Sequence, residues 1–328
     1  MQINYYNRNL KCGFSINIVT QTIKQGIEKI YPIKEYYMPT HRAYPWHCLI
    51  NILYTFFHRS FRKGIINHQT GDNHYLLIGL IGSKTVLTIH DLVCLNCNNP
   101  IKRLYKYIFY IYLPVKIADR IVCISNTTKD SLLKHIKTQK ACVIYNPINP
   151  IFQYTPKQFN AKCPRILHIG TGWNKNLDRV IQSLKDINCQ LRIIGELDSK
   201  TITLLRENNI NYSNAVNLSD EAIKEEYQQA DIISFPSLYE GFGMPIIEGQ
   251  KTGRIIITSN ITPLTEIAND AAIFVNPYDI ESIKKGFTTA INDDSLRNAL
   301  INKGKLNVTK FELDNITNQY IELYNSIL

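Results

Sequence analysis

The sequence predicts an α/β protein built from two doubly wound domains, and two observations support this. Short β-branched runs alternate with amphipathic stretches along most of the 328 residues, as in parallel strands joined by helical crossovers. A proline-rich segment interrupts this alternation near the middle of the chain, at Pro147, Pro150, Pro156 and Pro164. We therefore expect two domains facing a cleft, with ligands bound in loops beyond the carboxyl ends of strands.

The first series, residues 1–150, contains four apolar runs with the length and composition of strands. These predicted strands are residues 3–6, 85–89, 120–124 and 142–145. Amphipathic stretches between them predict helices at residues 15–30, 102–116 and 127–135. This alternation predicts a first doubly wound domain.

The second series, residues 151–310, repeats the pattern with five β-branched runs. They are residues 166–169, 191–194, 232–235, 255–258 and 273–275. The last stretch, residues 311–328, is amphipathic and is expected to form a helix that packs back on the first domain. The domain boundary is therefore placed at residue 150.

Composition limits the class of protein without identifying it. Hydrophobic residues make up 45% of the chain and charged residues 20%, as in ordinary soluble proteins. The N-terminus lacks a basic region followed by a long apolar run, and no apolar stretch reaches the roughly 20 residues needed to span a bilayer. We therefore expect a cytoplasmic protein. The net charge of +10 suits nucleotide phosphates, a phospholipid surface or nucleic acid, and charge alone does not choose among them.

The most informative segment follows the run at 232–235 and contains two carboxylates around a glycine-rich turn. Glu240 falls in the loop, and Glu248 lies one turn into the following helix, which Pro245 would begin. Gly241 and Gly243 would let backbone amides approach a ligand closely at the positive end of the helix dipole. Two carboxylates in this arrangement can accept hydrogen bonds from vicinal sugar hydroxyls. One such carboxylate alone would more simply cap a helix.

The run from Glu240 to Glu248 resembles the Glu-x7-Glu signature of retaining GT-B glycosyltransferases of the family 4 type. The resemblance extends over residues 166–279 and more loosely over the first domain. It implies a GT-B fold, with residues 1–150 on the acceptor side and residues 151–310 binding a nucleotide-sugar donor. It also implies transfer of a sugar from a UDP- or GDP-sugar to a glycan or lipid-linked acceptor, as in the synthesis of O-antigen, capsule or lipopolysaccharide.

The resemblance assigns roles to the residues of this run. It implies that Glu240 contacts the donor sugar and that Glu248 holds the nucleotide ribose. It further implies that backbone amides of the intervening turn bind sugar hydroxyls, at Gly241, Phe242, Gly243 and Met244.

A second motif follows the run at 166–169 and precedes a predicted helix. Lys175 would add a flexible cation to amides that bind a diphosphate, and Asn176 is placed to cap the helix. The motif resembles the donor-phosphate loop of the same family, which implies a donor-binding role for Gly170, Thr171, Lys175 and Asn176. Many relatives have an arginine in this loop, where this chain has Thr171, Gly172 and Trp173.

In the first domain, His90 ends a predicted strand, and the adjacent Asp91 is expected to orient its ring or to stabilise its charge. The pair resembles the His-Asp element of the family, which implies that His90 faces the transferred sugar and is a catalytic residue together with Glu240 and Lys175. Gly13 resembles the N-terminal glycine loop that closes over the donor diphosphate.

Two segments keep alternative interpretations. Residues 68–72 either line the acceptor side or form an ordinary turn. The basic aromatic segment 102–112, with His58, Arg59, Arg62 and Lys63 upstream, either rests on an anionic membrane or is a buried helix with a solvated basic edge.

The sequence also weighs against other chemistries. It contains no Asp-x-Asp motif, so no metal site is expected, and no cofactor is expected because a nucleotide sugar would be a substrate. It has no Gly-x-Gly-x-x-Gly after an early strand, which argues against a dinucleotide-dependent oxidoreductase. It has no recognisable nucleic-acid-binding module. A non-catalytic nucleotide-sugar-binding subunit of a glycan assembly complex stays open as an alternative.

Overall fold

The computed structural model describes residues 1–12, 14–42 and 44–328, and of Phe14 the backbone alone. It divides into two units, each with its own sheet and core. The first unit comprises Met1–Pro147 and Glu312–Leu328, and the second comprises Ile148–Phe311.

The sheet of the first unit has six parallel strands in the order β2-β1-β3-β4-β5-β6. The strands are β1 (Gln2–Asn7), β2 (Ile33–Tyr37), β3 (Ile65–Gln69), β4 (Thr85–Ile89), β5 (Arg120–Cys123) and β6 (Ala141–Val143). Four of them match predicted strands, whereas β2 and β3 were not predicted. The reason is polarity, because β3 ends in Asn67, His68 and Gln69, which are buried through hydrogen bonds.

Five α-helices of the first unit precede the domain boundary. They are α1 (Phe14–Ile27), α2 (Pro45–His58), α3 (Pro100–Lys106), α4 (Leu113–Ile117) and α5 (Asn126–His135), with 3₁₀ turns at His74–Leu80 and Val93–Leu95. Helix α2 was not predicted. Ser125 caps α5, because its side chain accepts a hydrogen bond from the amide of Thr128 at 3.0 Å.

The helix predicted at 102–116 is present, and it contains a π-helical segment in its middle. A π-helical segment, Tyr107–Tyr112, separates α3 from α4. Pro114 has no N–H group, so the regular helical hydrogen bond to the carbonyl of Tyr110 cannot form. The Nδ1 of His74 donates to that carbonyl instead, at 2.9 Å. The π-helical segment thus lies where Pro114 leaves a carbonyl without its regular partner and a buried histidine supplies another.

The sheet of the second unit has six parallel strands in the order β12-β11-β10-β7-β8-β9. The strands are β7 (Arg165–Ile169), β8 (Gln190–Ile194), β9 (Tyr212–Ala215), β10 (Ile232–Phe235), β11 (Ile255–Ser259) and β12 (Ile273–Val275). All five predicted strands are present, and the additional strand β9 is a short, largely polar edge strand. Strands β8 and β9 are added on one side of β7, and strands β10, β11 and β12 are then added on its other side. The strand order therefore reverses between β7 and β10, and the carboxyl ends of these two strands form the topological switch point, where ligands of such sheets bind.

Seven helices cover this second sheet. They are α6 (Leu177–Ser183), α7 (Ser199–Glu207), α8 (Asp220–Gln229), α9 (Met244–Thr252), α10 (Leu264–Ala268), α11 (Ile280–Asn292) and α12 (Asp294–Asn307). Their apolar faces bury Val180, Ile181, Phe287 and Ala290 against the strands. The expected two-domain α/β architecture of parallel sheets is thus confirmed.

The last helix, α13 (Leu313–Asn325), belongs to the first unit. A Cβ at Gly26 of α1 would lie 1.9 Å from Oγ1 of Thr317, so the absence of a side chain lets α1 and α13 pack closely. Tyr324 of α13 also hydrogen-bonds His68 of β3, with 2.7 Å between the hydroxyl and Nδ1. Within the described ranges, none of the helices combines the length and the hydropathy required to cross a bilayer.

Candidate active site

Two loops meet at the switch point of the second unit, one after β7 and one after β10. The ammonium of Lys175 lies 2.6 Å from Oε1 of Glu240, and the side-chain amide of Asn174 donates to the same oxygen at 3.2 Å. The backbone of the two loops is also joined, because the amide of Leu238 donates to the carbonyl of Asn174 at 2.7 Å. The side chains of Lys175 and Glu240 are 23% and 13% exposed, so the pair is shielded but reachable by a ligand.

Asn174 is a site residue that sequence reasoning did not select. Its side-chain amide donates both to the carboxylate of Glu240 and, at 3.0 Å, to the carbonyl of Tyr239. It therefore fixes the position of Glu240 independently of Lys175. Its only sequence signal is its place immediately before Lys175.

Gly170 makes room for the stem of Lys175. Its φ is +91°, in the left-handed region, and a Cβ there would lie 3.0 Å from Cγ and from Cε of Lys175. The glycine is required both for the turn after β7 and for the path of the lysine side chain. Gly195, at the end of β8, has the same function for Thr171, because a Cβ at Gly195 would lie 2.9 Å from the Thr171 methyl group.

Asn176 holds three loops together rather than capping α6. It precedes the helix with a left-handed backbone, φ +64°, and its side chain makes no capping hydrogen bond, so the predicted cap is wrong. Its buried side-chain amide donates instead to the carbonyls of Pro236 and Pro277, at 2.9 and 2.7 Å. These carbonyls follow β10 and β12, so Asn176 aligns the carboxyl-end loops of the sheet.

The turn 241–243 leads directly into α9. Gly243 has a φ of +113°, and a Cβ there would lie 2.9 Å from Leu264, which accounts for glycine at this position. The ring of Phe242 is buried edge-on against Phe311, with 5.9 Å between centroids. Only the backbone of Phe242 is therefore placed to meet a ligand. Met244 is the first helical residue, and Pro245 follows it one position later than expected.

Glu248 projects from α9 toward α8, where Tyr227 donates a hydrogen bond to its Oε2 at 2.5 Å. The pKa of Glu248 is raised to about 7, mainly by burial; the Tyr227 hydrogen bond opposes this rise and the charge of nearby Asp220 adds to it. The pKa of Tyr227 is also raised, by burial and by the adjacent carboxylate. The residue Glu248 as a whole stays half-buried, so Oε1 is the oxygen that can serve a ligand. Tyr227 was missed because nothing in a helical sequence shows what its inward side contacts.

His90 lies in the first unit at the end of β4. Its Nε2 donates to the carbonyl of Thr70 at 2.8 Å, since a carbonyl can only accept, and this fixes the tautomer with Nδ1 as an acceptor. Burial lowers the pKa of His90, so the ring is neutral. Of the two roles expected of Asp91, orientation of the ring is not found, because its carboxylate accepts from the amide of Val93, whereas its charge does oppose the lowering of the His90 pKa. The carbonyl of Thr70 orients His90.

The segment 68–72 is largely structural. His68 is buried between Tyr324 and Thr88, with 2.8 Å from Nε2 to the threonine hydroxyl, and burial lowers its pKa to about 3. Asp72 ion-pairs with Arg8 across 3.6 Å, joining the ends of β3 and β1. Gly13 lies outside the described residues. Among the described residues, no group of three or more His, Cys, Asp or Glu side chains is arranged to hold a metal ion.

Comparison with known proteins identifies the family. Residues 155–307 match the family described as glycosyl transferases group 1, and residues 13–151 match glycosyltransferase family 4. The chain belongs to the family 4 type of glycosyltransferases. The glycosyltransferase from Rickettsia africae has the same fold, with a TM-score of 0.76 at 20% identity over 99% of this chain and 98% of that one. The GT-B architecture predicted from the sequence is thus confirmed.

Two curated relatives of this glycosyltransferase act on O-antigen chains according to their names. The O-antigen chain mannosyltransferase B of Escherichia coli is 34% identical over 105 residues, which is 32% of this chain and 28% of the relative. The O-antigen chain mannosyltransferase RfbU of Salmonella typhimurium is 25% identical over 251 residues, 73% of this chain and 68% of the relative. The chain thus matches well under a third of the first relative and about two thirds of the second.

The charge of this glycosyltransferase is unevenly divided between its units. Lys and Arg outnumber Asp and Glu by 19 to 9 in the first unit, whereas the second unit has 18 of each. The unit that carries Lys175 and Glu240 therefore has no net charge, and its attraction for an anion must come from local groups. The whole excess of +10 lies on the unit that carries His90.

Proposed function

We propose that this glycosyltransferase moves a sugar from a nucleoside-diphosphate donor to a glycan or lipid-linked acceptor, with retention of anomeric configuration and without a metal ion. The observation that carries the proposal is the Lys175–Glu240 pair at the switch point of the second unit. This arrangement presents a cation and a carboxylate side by side, which suits a ligand that has a phosphate next to a sugar.

Lys175 is proposed to bind the donor diphosphate. Its ammonium is a point charge held beside Glu240, and the absence of a side chain at Gly170 leaves room for its stem. Charge develops on the leaving phosphate as the glycosidic bond breaks, and a fixed cation stabilises it without a metal. The amides of the turn 241–244 are proposed to bind hydroxyls of the sugar at the start of α9.

Glu240 is proposed to accept hydrogen bonds from the donor sugar and not to act as a nucleophile. Its Oε1 already accepts hydrogen bonds from Lys175 and Asn174, so this oxygen is engaged within the site rather than free to attack. A double displacement needs a free carboxylate below the anomeric carbon. We therefore favour same-face transfer, in which the bond to the leaving phosphate breaks as the acceptor oxygen bonds to the anomeric carbon. The leaving phosphate oxygen then takes the acceptor's proton.

Glu248 is proposed to hold the nucleotide ribose through Oε1, while Tyr227 holds Oε2. His90 is proposed to face the transferred sugar with its fixed, neutral ring, the Nδ1 accepting a hydrogen bond. Gly13 is proposed, from the sequence alone, to belong to the loop over the diphosphate.

The biological role proposed is bacterial surface polysaccharide synthesis. The names of the Escherichia coli and Salmonella typhimurium relatives favour mannose as the transferred sugar and an O-antigen chain as the acceptor class. UDP- and GDP-linked donors both stay candidates. We place the enzyme in the cytoplasm, with peripheral contact at the inner face of the membrane.

The test is a donor panel measured with purified protein in EDTA. UDP- and GDP-sugars, GDP-mannose among them, are screened first by thermal shift, because a ligand that binds only the folded state raises its apparent stability. The donors that bind are then assayed for transfer, and the anomeric configuration of the product is read by NMR. We expect an α-linked product from an α-linked donor at undiminished rate in EDTA. Donor binding without hydrolysis or transfer would instead identify a non-catalytic binding subunit, and an inverted product would overturn the retaining mechanism.

A further inference from the structure

Helix α2 turns its apolar side outward. The residues it buries are small or polar, namely Cys48, Asn51 and Thr55. The large side chains on its outer side are exposed: Trp46, Leu49, Ile50, Leu53, Phe56 and Phe57. A helix on a soluble protein normally has the opposite arrangement, with its apolar stripe against the core.

The buried polar side of α2 is fully engaged, so the orientation of the helix is fixed. Asn51 donates to the hydroxyl of Tyr75 at 2.9 Å and to the carbonyl of Thr40 at 3.2 Å. The hydroxyl of Thr55 packs against Gly79, where a Cβ would lie 2.0 Å from Oγ1. Rotating α2 to bury its apolar stripe would break these hydrogen bonds and separate Thr55 from Gly79.

The exposed apolar residues are concentrated in this one segment. Among the residues that the structure describes, eight of the 23 exposed large hydrophobic side chains fall between Tyr44 and Phe61. Phe57 is 76% exposed and Trp46 58%. Isolated exposed hydrophobics are ordinary, whereas a contiguous stripe marks an interaction surface.

Positive charge flanks the stripe. No Asp or Glu occurs between Glu35 and Asp72, a stretch that contains Arg42, Arg59, Arg62 and Lys63. The guanidinium of Arg59 stacks 3.6 Å from the ring centroid of Phe56 and 4.7 Å from that of Phe61, so cation and apolar groups share one surface. These residues belong to the unit that carries the whole net charge of the chain.

The basic aromatic segment 102–112 lies beside α2, and most of its aromatic rings are buried or half-buried. Tyr110 is buried and approaches Cys48 of α2, with 3.9 Å between the hydroxyl and Sγ. The exposed apolar side chains here are Ile101 and Leu104 of α3, next to Lys102, and Tyr112 at the end of the run. The structure thus moves the centre of the candidate surface from residues 102–112 to α2.

We propose that the outer face of α2, from Tyr44 to Phe61, docks on an anionic lipid membrane. The apolar stripe would enter the boundary between headgroups and acyl chains while the exposed Arg62 and Lys63 meet lipid phosphates. A second copy of this chain is a poorer occupant, because pairing two α2 faces would bring the same cations together. This inference does not depend on the donor chemistry proposed above, since vesicle binding is measured without a donor.

The test uses the full chain and vesicles of phosphatidylcholine with or without 30 mol% phosphatidylglycerol. The chain has two tryptophans, so in a Trp173→Phe background Trp46 alone reports on α2. We expect co-sedimentation that requires phosphatidylglycerol and falls with salt, together with a blue shift of Trp46 emission and quenching by brominated lipid. Emission unchanged by vesicles that carry phosphatidylglycerol would overturn the proposal.

Variants separate the apolar from the electrostatic contribution. Leu53→Ser with Phe57→Ser removes apolar contact, and Arg62→Glu with Lys63→Glu reverses charge; each pair should lower vesicle binding about tenfold or more. Leu306→Ser is the matched control, because Leu306 is a similarly exposed leucine on the neutral unit, and it should bind like the parent. Circular dichroism confirms folding, and analytical ultracentrifugation reports association. The membrane proposal would be overturned if the parent protein dimerises through α2. It would also be overturned if neither pair of substitutions reduces vesicle binding.

Discussion

The ammonium of Lys175 and the carboxylate of Glu240 lie 2.6 Å apart, although 65 residues separate them in the sequence. They meet because β7 and β10 are neighbours in the sheet, so the loops that follow these strands leave it side by side. Their charges compensate each other in a site that is mostly shielded from solvent. Removing one partner therefore leaves the other charge poorly solvated as well as deleting a ligand contact.

Replacing Lys175 by Ala should lower kcat/KM for sugar transfer by about 100-fold or more, the usual cost of deleting a preorganised group at a developing charge. Glu240→Gln should also impair transfer, and the double variant should lose less than the two single losses combined because the residues act as a unit. Steady-state kinetics on all three variants measure this coupling.

Lys200→Ala is the control for that series. Lys200 pairs with Asp178 across 3.0 Å in the same unit, but both side chains are exposed, so the pair adds little. Its transfer rate should match that of the parent. Undiminished transfer by Glu240→Gln would refute the role given to this carboxylate.

Gly170→Ala should impair donor binding beyond its effect on folding. The new methyl group would lie 3.0 Å from the Lys175 stem and would displace the ammonium. Gly64→Ala is a matched control, because Gly64 has a similar φ of +82° with no atom within 4 Å of the added Cβ. Both variants should lose roughly 1 kcal/mol of unfolding free energy or somewhat more from backbone strain. Only Gly170→Ala should raise the donor KM, and equal KM values in the two variants would contradict the steric explanation.

The sequence was sufficient where apolar pattern and chain order determine the structure. The strands β4, β10 and β12 have the predicted bounds, because each is a short, largely apolar run between polar loops. The proximity of Lys175 and Glu240 also followed from their places after strands of one sheet. The alternation of strands and helices was therefore enough to locate the candidate site.

Contacts that depend on the far side of a helix or on a backbone carbonyl could not be predicted. Asp91 is adjacent to His90 in the sequence, yet the ring is held by the carbonyl of Thr70, a group that every residue has. Asn176 has the residue type of a helix cap but uses its amide across three loops. Helix α2 was missed because its exposed side is the apolar one, so its pattern does not indicate a surface helix.

Glu248 should make stability and donor affinity respond to pH in opposite directions. Its pKa is raised from 4.5 to about 7, so between these values the folded state binds more protons than the unfolded state. Unfolding free energy should therefore fall as pH rises from about 4.5 to 7 and stay level above. Glu248→Gln should lack this contribution and gain relative stability at pH 8. Thermal melts of both proteins across pH 4–8 check this, and parallel curves would contradict it.

Tyr227→Phe should weaken donor binding at neutral pH without much change in kcat. The hydroxyl donates to Oε2 of Glu248 and holds its pKa down, so its loss should raise that pKa further and leave less carboxylate at pH 7. The donor KM should rise at pH 7, and its pH dependence should move to higher pH, with recovery toward the parent value by about pH 9.

Tyr212→Phe, a substitution of a half-buried tyrosine on β9, is the control and should leave the pH profile of the donor KM unchanged. A purely structural role for Tyr227 would predict lower stability, by about 1 kcal/mol for the lost hydrogen bond, with an unshifted pH profile. The position of the KM profile on the pH axis therefore decides between positioning of Glu248 and simple packing.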